Sequence, residues 1–171
     1  MLRRANSADG TGIFNQISDL SGDLNCQYGE GVNFIDMNGD GLDDLVYIDS
    51  DGNAYLSINQ GDGNHAAGKP PTFKRISSTA LIKSNEGYGR DQVVLADIDA
   101  DGRGDYGVMD NSGQVYFWRN GGNTDAPEYW QALGMRFQGT VGSTRFEDIN
   151  GDVSRLEDVL RLIWLTRVSG P

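Results

Sequence analysis

The chain has 171 residues, with 14 Lys+Arg against 25 Asp+Glu and a formal net charge of −11, the size of one ordinary domain. So acidic a surface repels phosphate backbones and anionic lipid headgroups, which excludes nucleic acid and charged membrane surfaces as natural partners. One cysteine, Cys26, and one histidine, His65, provide neither an internal disulfide nor a Cys/His zinc site, and no run approaches the ~18 apolar residues of a membrane span.

In chain order, residues 1–9 read as a disordered segment. The start Met1-Leu2-Arg3-Arg4 continues into polar residues and glycine, so this chain shows no signal peptide. Residues 14–17 read as a strand. Residues 32–35 form the next, followed by an Asp/Gly loop, a strand over 45–48, the turn Asp49-Ser50-Asp51-Gly52 and a strand over 54–58. In the last of these Ala54 and Leu56 alternate with Tyr55 and Ser57, the period of two that gives a strand distinct faces. A fourth strand over 73–76 follows the Gly/Pro loop.

Residues 32–59 then recur at 93–120, without a gap, at an offset of 61. Asp36/Asp97, Asp40/Asp101, Gly41/Gly102, Asp44/Asp105, Asp49/Asp110, Gly52/Gly113, Tyr55/Tyr116 and Asn59/Asn120 are identical pairs. The second copy acquires its fourth strand over 129–133, and a third copy opens at 144–152. A period of roughly 50 to 60 residues belongs to propeller-type arrays. The predicted fold is therefore all-β, a partial β-propeller of about three four-stranded antiparallel blades, incomplete at the ends, over residues 10–160. Residues 161–171 form an atypical tail, either a disrupted repeat or a short helix. Because closed propellers have about four to eight blades, three explanations stand open: a fragment of a longer protein, a truncated gene product, or a protomer that closes by assembly. Open blade edges favour self-association.

The Asp/Gly loops carry the chemistry. In the first, Asp36, Asn38, Asp40 and Asp44 place side-chain oxygens at loop positions 1, 3, 5 and 9, and the Leu42 carbonyl falls at position 7. The second repeats this with Asp97, Asp99, Asp101, Asp105 and the Arg103 carbonyl. These offsets suit Ca²⁺, which takes six or more oxygens at about 2.3 to 2.6 Å, with glycine at position 6 permitting the sharp turn. An EF-hand is excluded: position 12 is Tyr47 or Val108 where that loop has a bidentate Glu, and the flanks are strands. The third loop keeps Asp148, Asn150 and Asp152, then has Val153 in place of glycine; a two-residue insertion brings Asp158 to the role of Asp44.

The segments Phe34-Ile35-Asp36-Met37-Asn38-Gly39-Asp40-Gly41-Leu42-Asp43-Asp44-Leu45 and Leu95-Ala96-Asp97-Ile98-Asp99-Ala100-Asp101-Gly102-Arg103-Gly104-Asp105-Tyr106 resemble FG-GAP/VCBS repeats. Such repeats occur in integrin α-chain propellers, fungal calcium-containing propeller lectins and the non-catalytic tails of secreted SGNH-type (GDSL) esterases. The resemblance implies a calcium-stabilised propeller segment of an extracellular protein that binds carbohydrate or protein.

Other features are weaker. Arg103-Gly104-Asp105 spells an adhesion tripeptide, but the loop needs Asp105 for itself. Trp118, Tyr116, Trp130 and Tyr129 are candidates for stacking on sugar rings or, more simply, for packing between blades. For catalysis the sequence lacks a G-x-S-x-G elbow or a Gly-Asp-Ser block, and a single loop histidine builds no triad. Two classes of function follow: a non-enzymatic extracellular binding module, or the accessory region of a secreted hydrolase whose catalytic domain lies outside these residues.

Overall fold

The computed structural model describes residues 3, 4, 15, 16, 24, 26–64, 66–122 and 124–138. The third Asp loop with Asp148, Asn150 and Asp152, the tail 161–171 and His65 lie outside the described residues.

Strands β1 (Arg3–Arg4) and β2 (Asn15–Gln16) pair with each other. The strand read at 14–17 thus has its partner in the first residues of the chain. The first blade-like sheet comprises β3 (Val32–Ile35), β4 (Asp44–Ile48), β5 (Ala54–Asn59) and β6 (Phe73–Arg75), in that spatial order, and β7 (Leu81–Lys83) also pairs with β5. The second comprises β8 (Val93–Ala96), β9 (Asp105–Met109), β10 (Gln114–Gly121) and β11 (Tyr129–Gln138). Every pairing is antiparallel, and each Asp loop joins the first two strands of its sheet. The all-β expectation, with open and unclosed sheets, is met.

The fourth strand departs from a simple repeat. In the first sheet it is split: β6 pairs with Ser57–Asn59, and β7 takes over beside Ala54 and Tyr55. The step between them carries Ala80 in the left-handed region, φ +56°. In the second sheet β11 runs unbroken and absorbs the mismatch as two register shifts against β10.

Burial explains why the two sheets stack. Central strands β4 and β9 are buried along all five residues, so both of their faces need a covering layer. Val46 and Ile48 of β4, with Ala54, Leu56 and Ile58 of β5, pack against Tyr106 and Val108 of β9, and Tyr116, Trp118 and Trp130 complete that layer. Leu45 and Tyr47, on the other face of β4, pack with Leu24 and Ala80. At an offset of 61, Leu45 and Tyr47 correspond to Tyr106 and Val108. Each blade therefore offers one equivalent face to its predecessor and the opposite face to its successor, as propeller blades do. The far face of the second sheet continues the series with Ile98, Met109, Val115, Phe117 and Phe137.

Specific bonds fix the stacking. Tyr106 Oη donates to the Gly52 carbonyl at 2.8 Å, and Trp130 Nε1 donates to the Ile82 carbonyl at 2.8 Å. Lys83 lies over the rings of Tyr106 and Trp118, 5.3 and 5.0 Å from their centroids, and pairs with Glu86. The aromatics Tyr116, Trp118 and Trp130 thus serve packing between blades; Tyr129 is exposed.

Candidate metal centre

Both loops leave one strand, turn through the left-handed region twice and re-enter the next strand at a buried aspartate. In the first, the two turns fall at Gly39 (φ +79°) and Gly41 (φ +82°); in the second they fall at Ala100 (φ +59°) and Gly102 (φ +85°). Left-handed backbone costs an L-residue roughly 1 kcal/mol and glycine nothing, so Ala100 is the strained member of the four.

Carboxylates at position 1 gather the turning backbone. Asp36 accepts from the N–H groups of Asn38 (3.2 Å), Gly39 (2.7 Å) and Gly41 (2.7 Å). Asp97 accepts from Asp101 (3.2 Å) and Gly102 (2.9 Å). At position 5, Asp40 accepts from the Leu42 N–H at 2.8 Å and Asp101 from the Arg103 N–H at 3.0 Å, which fixes the residues read as carbonyl ligands. In the first loop the Asn38 amide donates to Asp40 Oδ2 at 3.0 Å.

The position-9 aspartates are fully buried and tie each loop to the third strand of its blade. Asp44 accepts from the N–H groups of Met37 and Asn59, both at 2.9 Å. Asp105 accepts from those of Ile98 at 3.0 Å and Asn120 at 2.7 Å. Asn59 and Asn120 are site residues that loop spacing alone does not reveal. Their signal is their identity at the repeat offset.

Burial pushes the Asp44 carboxyl up to about 6. It pushes Asp105 up to about 7, with the charges of Asp99 and Asp97 adding to the effect. Asp97 is raised for the same first reason, desolvation, together with the charge of Asp101. In each case removal from water penalises the anion, and neighbouring acids penalise it further. A nearby cation reverses both penalties.

The donor set fits a hard cation. Asp97, Asp99 and Asp105 bring carboxylate oxygens within 4.8 Å of one another, and ligand oxygens about 2.4 Å from a shared ion lie at most about 4.8 Å apart. The donors are all oxygen, the class that suits Ca²⁺ or Mg²⁺ in preference to soft transition metals. Of the predicted second-loop ligands, the structure brings these three together, while Asp101 Oδ2 receives Arg119 Nη2 at 2.9 Å. In the first loop Asp36, Asn38 and Asp40 are linked to one another or to the same turn, and Asp44 anchors its end.

The two loops lie side by side. The Gly104 N–H donates to the Asp36 carbonyl at 2.7 Å, and Asn120 Nδ2 donates to the carbonyls of Met37 at 2.9 Å and Gly104 at 3.2 Å. Within this contact Gly104 is buried and Asp105 is fully buried, so the adhesion-like tripeptide is not presented to solvent.

Residues 36–108, from the first loop ligand to the strand after the second loop, match the family model of the FG-GAP-like repeat. Over these residues the chain is similar to an FG-GAP-like repeat. No match was found among curated proteins or among solved structures. FG-GAP-like repeats are non-catalytic repeat modules of β-propeller type, found mostly in extracellular proteins. Among the described residues no helix is long and apolar enough to cross a membrane.

Proposed function

We propose that this FG-GAP-like segment is a calcium-stabilised β-propeller module that binds carbohydrate or protein outside the cell. The observation that carries the reading is the pair of equivalent oxygen-rich loops, held side by side at one edge of the stacked blades, each ending in a buried carboxylate. Asp36, Asn38, Asp40, Asp44 and the Leu42 carbonyl would hold one ion, and Asp97, Asp99, Asp101, Asp105 and the Arg103 carbonyl another. A bound divalent cation supplies positive charge that offsets the repulsion among these carboxylates. Two carboxylates ~4 Å apart repel by about 4 kcal/mol at an effective dielectric near 20, so the residues themselves favour the ion-bound loop. Position-1 carboxylates hold the turn, and position-9 carboxylates transmit loop order to β5 and β10 through Asn59 and Asn120.

Calorimetric titration of chelator-stripped protein tests this directly. Calcium binding with a rise in melting temperature supports the reading, since a ligand that binds only the folded state stabilises it by mass action. No heat of binding and no thermal shift would overturn it. Glycan-array and pull-down screening then separates carbohydrate from protein as the ligand. An accessory role beside a secreted hydrolase uses the same scaffold; there, the purified chain shows no esterase or glycosidase turnover and the full gene encodes a catalytic block. Open sheet edges further predict self-association, read by light scattering at several concentrations in calcium.

A further inference from the structure

The two loops are equivalent in spacing, and among the described residues only the second gathers three carboxylates within 4.8 Å of one another; they differ further in a paired charge that bears on metal affinity. Arg119, on β10, reaches back over the second loop and pairs with both Asp99 and Asp101, the carboxylates at positions 3 and 5. At the repeat offset its counterpart is Ile58, buried in the apolar layer between the sheets. Among the described residues, no Lys or Arg forms an ion pair with Asp36, Asp40, Asp43 or Asp44. Arg103 lies against the first loop, its stem and Nε 3.5 to 3.6 Å from where a Cβ on Gly39 would stand, without pairing with that loop's acids. The first loop instead meets its own acids with a neutral amide, Asn38 Nδ2 on Asp40.

We infer that Arg119 is a built-in counter-cation of the second loop, and that it makes this loop the weaker and more dispensable of the two calcium sites. The inference rests on the calcium reading above and adds a ranking to it. A guanidinium presents a rigid fork of N–H donors suited to carboxylates, and here it engages two of the oxygen donors that calcium needs. An incoming ion must either displace Arg119 from Asp99 and Asp101 or bind with fewer anionic ligands, and either route weakens binding. When no ion is bound, the same side chain offsets the repulsion among Asp97, Asp99, Asp101 and Asp105, so the second loop depends less on metal for its order. Among the described residues the first loop has no cation paired with its acids in this way.

The two effects have opposite signs, which separates this role from a merely structural one. In Arg119→Ile, which copies the first repeat, calorimetry should show the weaker class of calcium sites tightening about tenfold, the change expected when a unit charge some 6 Å from a divalent ion is removed. The tighter class should stay within about twofold, and Asp36→Asn should abolish it. Melting in chelator should fall for Arg119→Ile while the calcium-induced rise grows. Arg119→Lys, which retains the charge, should keep the sites unequal. If Arg119→Ile does not fold, Arg119→Gln, uncharged and of similar reach, gives the same comparison. Sites of equal strength in the unaltered protein, or a weaker site that is unchanged or further weakened when the charge is removed, would overturn the inference while leaving calcium binding intact. Absence of calcium binding in every variant would overturn the underlying reading as well.

Discussion

Asn120 donates its backbone N–H to the Asp105 carboxylate at 2.7 Å and, with its side-chain amide, reaches the Met37 carbonyl of the neighbouring loop at 2.9 Å. One fully buried residue thereby joins the end of its own Asp loop to the start of the preceding one. Asn59, its counterpart at the repeat offset, makes the same backbone bond to Asp44, but its amide turns to the Asp43 carbonyl within its own blade.

That difference predicts unequal costs for the same substitution. Asn120→Ala strands two buried carbonyls, each worth about 1 to 3 kcal/mol when left unsatisfied, so a loss of about 2 to 4 kcal/mol is expected in urea unfolding. Asn59→Ala leaves its carbonyl open to water and should cost about 1 kcal/mol or less. Equal losses would mean that the contact between loops contributes nothing to stability.

The strained backbone at Ala100 yields a second prediction. Ala100→Gly places in the second loop the residue that the first has at Gly39, and should stabilise the protein by about 1 kcal/mol. Gly39→Ala should destabilise it by a similar amount, because the space around Gly39 leaves backbone strain as the main cost. Thermal melts of the two variants in calcium read both signs, and a destabilised Ala100→Gly would contradict the argument.

Metal-free protein should lose stability as pH rises from about 4 to about 7. The folded-state values of Asp44, about 6, and Asp105, about 7, both lie above the 3.8 of an ordinary aspartate. Groups raised in this way contribute most below the unfolded value, and that contribution fades as pH climbs through the folded one. Asp49 and Asp110 are lowered by hydrogen bonds within their turns, and their contribution is lost only below the ordinary carboxylate range. Melting in chelator at pH 4.5 and at pH 7.5 checks the sign. Saturating calcium should reverse it, since an ion favours the charged carboxylates.

Much of this arrangement is legible in the sequence, and the gaps have physical causes. β3, β4 and β5 follow from short apolar runs bounded by Asp/Gly turns, and the second sheet from the repeat offset. β7 escapes because three residues carry no period to read, and only pairing with β5 makes them a strand. β11 runs past 133 because bulges let Gly134-Met135-Arg136 continue a strand whose alternation they interrupt. Loop ligands are readable because they are local and equally spaced. Arg119 is not, since it acts on acids 18 and 20 positions away and stands where the first repeat has isoleucine. Asn59 and Asn120 are visible as an identical pair, but which carbonyls their amides reach, Asp43 within the blade or Met37 in the neighbouring loop, is set by the stacking and not by their identity.

The junction between the blades supplies the last prediction. Tyr106 is fully buried, and its hydroxyl donates across the sheet boundary to the Gly52 carbonyl at 2.8 Å, beside the turn that Asp49 organises. Burial, with the charges of Glu86 and Asp49 adding to it, pushes this phenol up to about 12, so it remains a donor throughout the ordinary pH range. Tyr106→Phe keeps the ring that packs edge-on against Trp118 and Trp130 and removes only the donor. The expected loss is about 1 to 2 kcal/mol, with tryptophan emission of the folded protein little changed because the apolar surroundings of both indoles persist. Tyr106→Ala removes the ring as well, and should cost about 3 to 5 kcal/mol with a red shift in emission as water reaches Trp118. Urea unfolding followed by both fluorescence and circular dichroism distinguishes the outcomes. A Tyr106→Ala variant as stable as Tyr106→Phe would show that the two sheets do not depend on this contact to stay stacked.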